Sequence, residues 1–100
     1  MTTISTQTIA ATLRGCAARY KINSAYLFGS RARESSEESS DIDICIECDD
    51  GFNLFMLGGL GEHLEKALGL PVDIVCGEAS FYPKARERYL KDRVLLYAKS

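Results

Sequence analysis

From Asp41 to Cys48 the sequence alternates without a break. Ile42, Ile44 and Ile46 fall on one face, and Asp41, Asp43, Cys45 and Glu47 on the other. A period of two belongs to a strand, whose successive side chains leave on opposite faces, and β-branched isoleucine suits that surface. This segment therefore has to be a strand with one greasy face and one charged face. The rest of the chain must cover the greasy one. With 46% hydrophobic and 26% charged residues it has the composition of a globular protein, and disorder, collagen and low-complexity architectures are excluded. The 100 residues match one domain, so the expectation is a single domain over residues 1–100.

Other elements follow from local signals. Ile9, Leu13, Cys16, Ala17 and Tyr20 recur at helical spacing between Ser5 and Tyr20, with Ser5 or Thr8 as N-cap. Lys21 to Ser24 break that pattern. Ala25 to Phe28 form a short apolar run stopped by Gly29, as in a strand buried on both faces. Arg31 to Ser40 are polar and read as a loop. Beyond the turn at Asp49-Asp50-Gly51, Asn53 caps a helix whose stripe is Leu54, Leu57, Leu64, Ala67 and Leu68, ended by Gly69 and Pro71. Val72 to Cys76 are a strand ended by Gly77. Pro83 opens a helix running to Asp92, and Val94 to Tyr97 are a last strand. The order is αβ(loop)βαβαβ, which implies an α/β fold: one mixed sheet with helices packed against it.

Several function classes drop out. The formal charge is −2, from 12 basic and 14 acidic residues, whereas nucleic-acid binding by bulk electrostatics calls for a basic chain. The greasiest stretch, Phe52 to Leu60, is interrupted by Asn53, Gly58 and Gly59 and is far short of the ~20 residues of a membrane span. The opening MTTISTQT has neither basic nor apolar signal regions, so the chain reads as cytoplasmic. In that compartment Cys16, Cys45, Cys48 and Cys76 read as free, buried and inert. Cys45-x-x-Cys48 lacks partners for zinc and sits in a strand, not at the start of a helix as in a thioredoxin motif.

The chemistry concentrates between Gly29 and Asp73. Asp41 and Asp43 project from the same face of their strand, about 7 Å apart at Cα. Two carboxylates over an apolar sheet repel each other and lose hydration, and a divalent cation relieves both costs. An exposed strand face also carries such pairs with no metal. Gly29-Ser30, directly after a strand, offers backbone and hydroxyl donors to a phosphate, or is a simple turn. Asp73 is the one charge in the run from Leu70 to Val75. It is either a third ligand or general base, or an edge-strand charge that discourages aggregation. His63 reads as solvent-facing. Lys84, Arg88 and Lys91 share a helical face, solvated or facing an acidic partner, and Tyr82, Tyr89 and Tyr97 read as core or rim.

Gly29-Ser30, ten intervening residues, Asp41-x-Asp43 and a later strand carboxylate at Asp73 together resemble the minimal nucleotidyltransferases of the polymerase-beta-like superfamily. The resemblance implies the fold of that family. It also implies that Asp41, Asp43 and Asp73 hold two Mg²⁺ ions, and that Asp73 helps to deprotonate an acceptor hydroxyl. Gly29 and Ser30 would cradle the phosphates of a nucleoside triphosphate, ATP, and Arg31 or Arg33 would neutralise its charge. The chemistry implied is in-line attack of a hydroxyl on the α-phosphate. Small members of the family resemble the antitoxin half of pairs whose toxin is a helical HEPN ribonuclease modified on a tyrosine. Two departures stand out: Glu34 follows Ala32-Arg33 where the family often has glycine, and Glu37 and Glu38 add negative charge to the loop.

Three functions follow as expectations. The first is transfer of AMP from ATP to a protein hydroxyl, since 100 residues leave no room for a small-molecule substrate domain. The second is a non-catalytic antitoxin that masks its partner by binding. The third is a small-molecule (antibiotic-type) nucleotidyltransferase completed by a second subunit; homo-oligomerisation stays open.

Overall fold

Ser5 marks the start of the first helix by accepting the Thr8 backbone N–H on its hydroxyl at 3.1 Å, which satisfies one of the donors that a helix N-terminus leaves open. The helix, α1 (Thr6–Cys16), buries Ile9, Leu13 and Cys16 along one stripe. Lys21, at φ 56°, then turns the chain into β1 (Ile22–Phe28). After β2 (Ile42–Cys48), the Asn53 side chain accepts the Met56 N–H at 3.0 Å and starts α2 (Leu54–Leu68). Gly69, at φ 74°, ends α2 by donating its N–H to the Glu65 carbonyl at 2.8 Å. Next come β3 (Val72–Cys76), a short 3₁₀ turn (Glu78–Ser80), α3 (Pro83–Asp92) opened by its proline, and β4 (Val94–Ala98). This computed structural model describes residues 4–33 and 41–99.

The four strands form one mixed sheet in the order β3-β2-β1-β4. β1 runs antiparallel to both β2 and β4, and β2 and β3 run parallel on either side of α2. On one face Ile42, Ile44, Ile46, Ala25 and Leu27 join Ile9 and Leu13 of α1 and Leu60, Leu64 and Leu68 of α2 in a continuous core. Burial of each of these leucine and isoleucine side chains contributes ~1.5–3 kcal/mol. Among the described residues no polar or charged one is buried. None of the described helices is long and apolar enough to cross a membrane.

The α/β class, the element order and the capping residues are as expected from sequence. The differences have physical reasons. β1 begins at Ile22, because Ser24 finds partners in Glu47 of β2 and Ala98 of β4, pairings that local polarity cannot reveal. The buried stripe of α2 is Leu60, Leu64 and Leu68, one turn apart; Leu54 is 83% exposed and Ala67 is exposed. Tyr82 is exposed, while Tyr89 is buried. Residues 34–40, with Glu34, Glu37 and Glu38, lie outside the described residues.

Candidate active site

The charged face of β2 lies opposite the core, and strand register assembles the site there. Asp43 pairs with Phe28 of β1 on one side and with Asp73 of β3 on the other, so Asp43 and Asp73 lie abreast on one face. Asp41 immediately precedes β2, whose first N–H, that of Ile42, donates to the Pro71 carbonyl at 3.0 Å and anchors this end of the strand to β3. Asp43 is half-buried, and Asp41 and Asp73 are exposed. Burial lifts the Asp43 carboxyl above the ordinary carboxylate range, and the negative charges of Asp73 and Asp41 push it in the same direction. Among the described residues, none of the three takes part in an ion pair.

Gly29 ends β1 beside this cluster. At φ 75° its backbone occupies the left-handed region, and a Cβ there would collide with Asp43 Oδ2 and stand 3.3 Å from its Cγ. The main chain can pass this close to the carboxylate only because the residue is glycine. Ser30 and Arg31 follow, both half-buried, and the Arg33 N–H donates to the Gly29 carbonyl at 3.3 Å to close the turn.

A cleft of ≈ 340 Å³ opens next to Gly29. Its wall is aromatic: Phe81 stacks on Tyr89 at 4.8 Å between ring centres, and Phe28 meets both edge-on at 5.2 and 5.7 Å. Arg33, Lys84 and Arg88 line the same cleft, as does Asp92. Behind the wall, the Arg93 guanidinium lies 4.0 Å from the Tyr26 ring centre and 3.7 Å from a Glu78 carboxylate oxygen. Burial raises the Tyr89 hydroxyl above its usual range, as does a hydrogen bond with Cys45.

The candidate metal-binding and phosphate-binding residues are thereby placed. Asp41, Asp43, Asp73 and Gly29 share one end of the sheet, Ser30 and Arg31 continue from it, and Arg33 reaches the cleft. Asp73 is exposed on an edge strand, as one of its two sequence readings has it, and strand register sets it beside Asp43. Lys84 and Arg88 face the cleft, whereas Lys91 does not line it. His63 is half-buried, 6.3 Å from the Tyr20 ring, rather than solvent-facing. The aromatic wall escaped the sequence reading; its one local signal is Phe28 directly before Gly29-Ser30.

Among the described residues, no three Asp, Glu, His or Cys side chains are gathered closely enough to hold a metal ion by themselves. Mg²⁺ does not require such a cluster. It is held by one or two carboxylates, with substrate phosphates and water completing its shell, and the crowded carboxylates of Asp43 and Asp73 match that chemistry.

A family model described as Polymerase beta, Nucleotidyltransferase matches residues 11–100. The chain belongs to that family. An inferred protein adenylyltransferase of Methanocaldococcus jannaschii is 38% identical over 80 residues, covering 76% of this chain and 78% of that protein. The solved structure of an inferred minimal nucleotidyltransferase superposes with a TM-score of 0.72 at 35% identity, covering 86% of each chain. An MNT antitoxin in complex with tri-AMPylated Shewanella oneidensis HEPN toxin has a TM-score of 0.68 at 22% identity, covering 95% of this chain and 74% of its own, which marks a shared fold. This nucleotidyltransferase therefore has the sheet, the helices and the family membership of the minimal nucleotidyltransferases.

Proposed function

We propose that this nucleotidyltransferase moves AMP from ATP onto a hydroxyl, a tyrosine, of a helical HEPN-type partner protein, and so acts as an antitoxin in the cytoplasm. The observation that carries the reading is the crowding of Asp43, Asp73 and Asp41 on one sheet face with the Gly29 backbone against Asp43. Charge repulsion held at one edge of a fold is a cost without a stability return, and it fits a site completed by bound cation and substrate. The relative named for protein adenylylation and the family fold shared with an antitoxin bound to an AMPylated HEPN toxin support the acceptor class.

Each residue has a part in the reaction. Asp41, Asp43 and Asp73 would hold two Mg²⁺ ions, which would supply Lewis-acid stabilisation of the negative charge that develops during transfer. The Gly29 turn and Ser30 bring backbone and hydroxyl donors to the triphosphate, and Arg31 and Arg33 offset its charge. Lys84 and Arg88 add positive charge across the cleft, whose aromatic wall offers a flat apolar surface to the nucleoside. Asp73, the exposed carboxylate beside Asp43, accepts the proton of the acceptor hydroxyl as its oxygen attacks the α-phosphorus. The bond from that phosphorus to the bridging oxygen breaks in line, pyrophosphate leaves, and AMP stays on the acceptor.

The test is the fate of label from ATP when the chain is incubated with Mg²⁺ and its co-purified partner. Label in the α-phosphate is expected on the partner and label in the γ-phosphate is not. Partner neutralised with neither label transferred would replace this reading with masking by binding.

A further inference from the structure

The sequence spacing pairs Cys45 with Cys48, but the strand separates them. Cys45 lies on the face of Asp43 and against Tyr89, and Cys48 lies three residues on, with Ile44 and Ile46, on the opposite face. Register supplies Cys48 with a different neighbour. Cys76, the last residue of β3, pairs with Ile46, so it shares the face of Cys48 and sits one pleat repeat away on the adjoining strand. The two thiols lie against each other there; burial and the Cys76 thiol together push Cys48 up to about 12. Cys76 is exposed and Cys48 half-buried, whereas Cys16 and Cys45 are buried. Of the four thiols, only these two are both adjacent and open to a small solute.

We propose that Cys48 and Cys76 form a reversible oxidation site, closing into a disulfide across the ends of β2 and β3 with a low-molecular-weight disulfide as oxidant. The Cys76 thiolate, after losing its proton to solvent, attacks the small disulfide. A mixed disulfide forms on Cys76 and one small thiolate leaves. The Cys48 thiol then gives up its proton to solvent, and its sulfur attacks the Cys76 sulfur and expels the second. The protein thiols give up two electrons and two protons, and the small disulfide becomes two thiols. One repeat along a strand, about 6.6 Å, combined with the ~4.8 Å between strands, exceeds the ~4.4–6.8 Å Cα span of most disulfides. Closure thus draws the strand ends together. The β1–β2 register shifts at Ile22/Ser24, opposite Cys48, which loosens that end, whereas the Gly77 N–H beside Cys76 donates to the Ile46 carbonyl at 2.8 Å, a hydrogen bond that closure distorts. A bond made under such strain is readily reduced, which suits a reversible mark.

This site lies at the far end of the two strands from Asp43 and Asp73, and the proposal does not depend on nucleotidyl transfer. The experiment equilibrates the full chain in buffers of oxidised and reduced glutathione, quenches with acid, alkylates the unfolded chain and maps its peptides by mass. The expected product has lost two hydrogens, retains alkylated Cys16 and Cys45, joins the Cys48 peptide to the Cys76 peptide, and reverts in excess reduced glutathione. Cys48→Ser should leave glutathione stranded on Cys76, Cys76→Ser should abolish both adduct and bond, and Cys45→Ser should leave the bond intact. Four alkylatable thiols, glutathione persisting on Cys76 of the unaltered chain, a Cys45–Cys48 bond, or a link between two chains would each overturn the proposal.

Discussion

The two faces of this sheet are built from the same strands and obey different rules. On the face covered by α1 and α2, Ala25, Leu27, Ile42, Ile44 and Ile46 are each at most 1% exposed. On the other, Asp43 and Asp73 stand side by side, and the aromatic rings of Phe28, Phe81 and Tyr89 line a cleft that opens next to Gly29. The first face gains stability from every residue it buries. The second spends some of that stability on crowded like charges, beside a turn that only glycine fits at position 29. A strand whose period is two can serve both purposes at once, since alternate residues never share a face.

Substitutions on the two faces should therefore part company. The largest loss of stability is expected from the core face: Leu64→Ala removes a fully buried side chain and should cost ~2–5 kcal/mol in denaturant unfolding, with transfer activity per folded molecule retained. An unfolding midpoint unchanged by this substitution would mean that α2 does not form the core described here. Gly29→Ala comes next. It places a Cβ against Asp43 and a side chain in the left-handed region, so a cost of roughly 1–2 kcal/mol is expected together with loss of transfer. Ordinary activity in that variant would remove the close approach from the account.

The smallest effect on stability has the opposite sign. Asp43 holds its proton more tightly folded than unfolded, so its ionised form disfavours the fold. Without divalent cation, Asp43→Asn should raise the thermal midpoint at neutral pH. The gain should shrink as pH falls through the raised folded-state value and disappear below the ordinary value of 3.8, where both states are protonated. Destabilisation by this substitution at pH 7 would make the carboxylate structural.

What the sequence disclosed and what it withheld divide along the same line. Strand alternation from Asp41 to Cys48, the asparagine cap of α2, the left-handed Gly69 and the proline of α3 are local signals, and each element starts or stops where its physics requires. The clustering of Asp41 and Asp43 is local too, being two residues of one strand. The position of Asp73 depends on which strand is the neighbour of β2, and the chain's order of elements does not state that. The same holds for Phe28, Phe81 and Tyr89, which come together from β1, the segment before α3, and α3 itself. Cys45-x-x-Cys48 illustrates the hazard in reverse: a familiar spacing on a strand points its two thiols apart, and the partner of Cys48 is found on β3.

The central claim, that one face folds the chain and the other transfers the nucleotide, meets its most direct test in a single variant. Asp43→Asn keeps the side chain's shape and removes the charge from the middle of the cluster. The measurement is α-phosphate label reaching the HEPN-type partner from ATP and Mg²⁺, made on Asp43→Asn protein shown to bind that partner. The account predicts a folded, partner-binding protein that transfers no label. Transfer at the rate of the unaltered chain would contradict it.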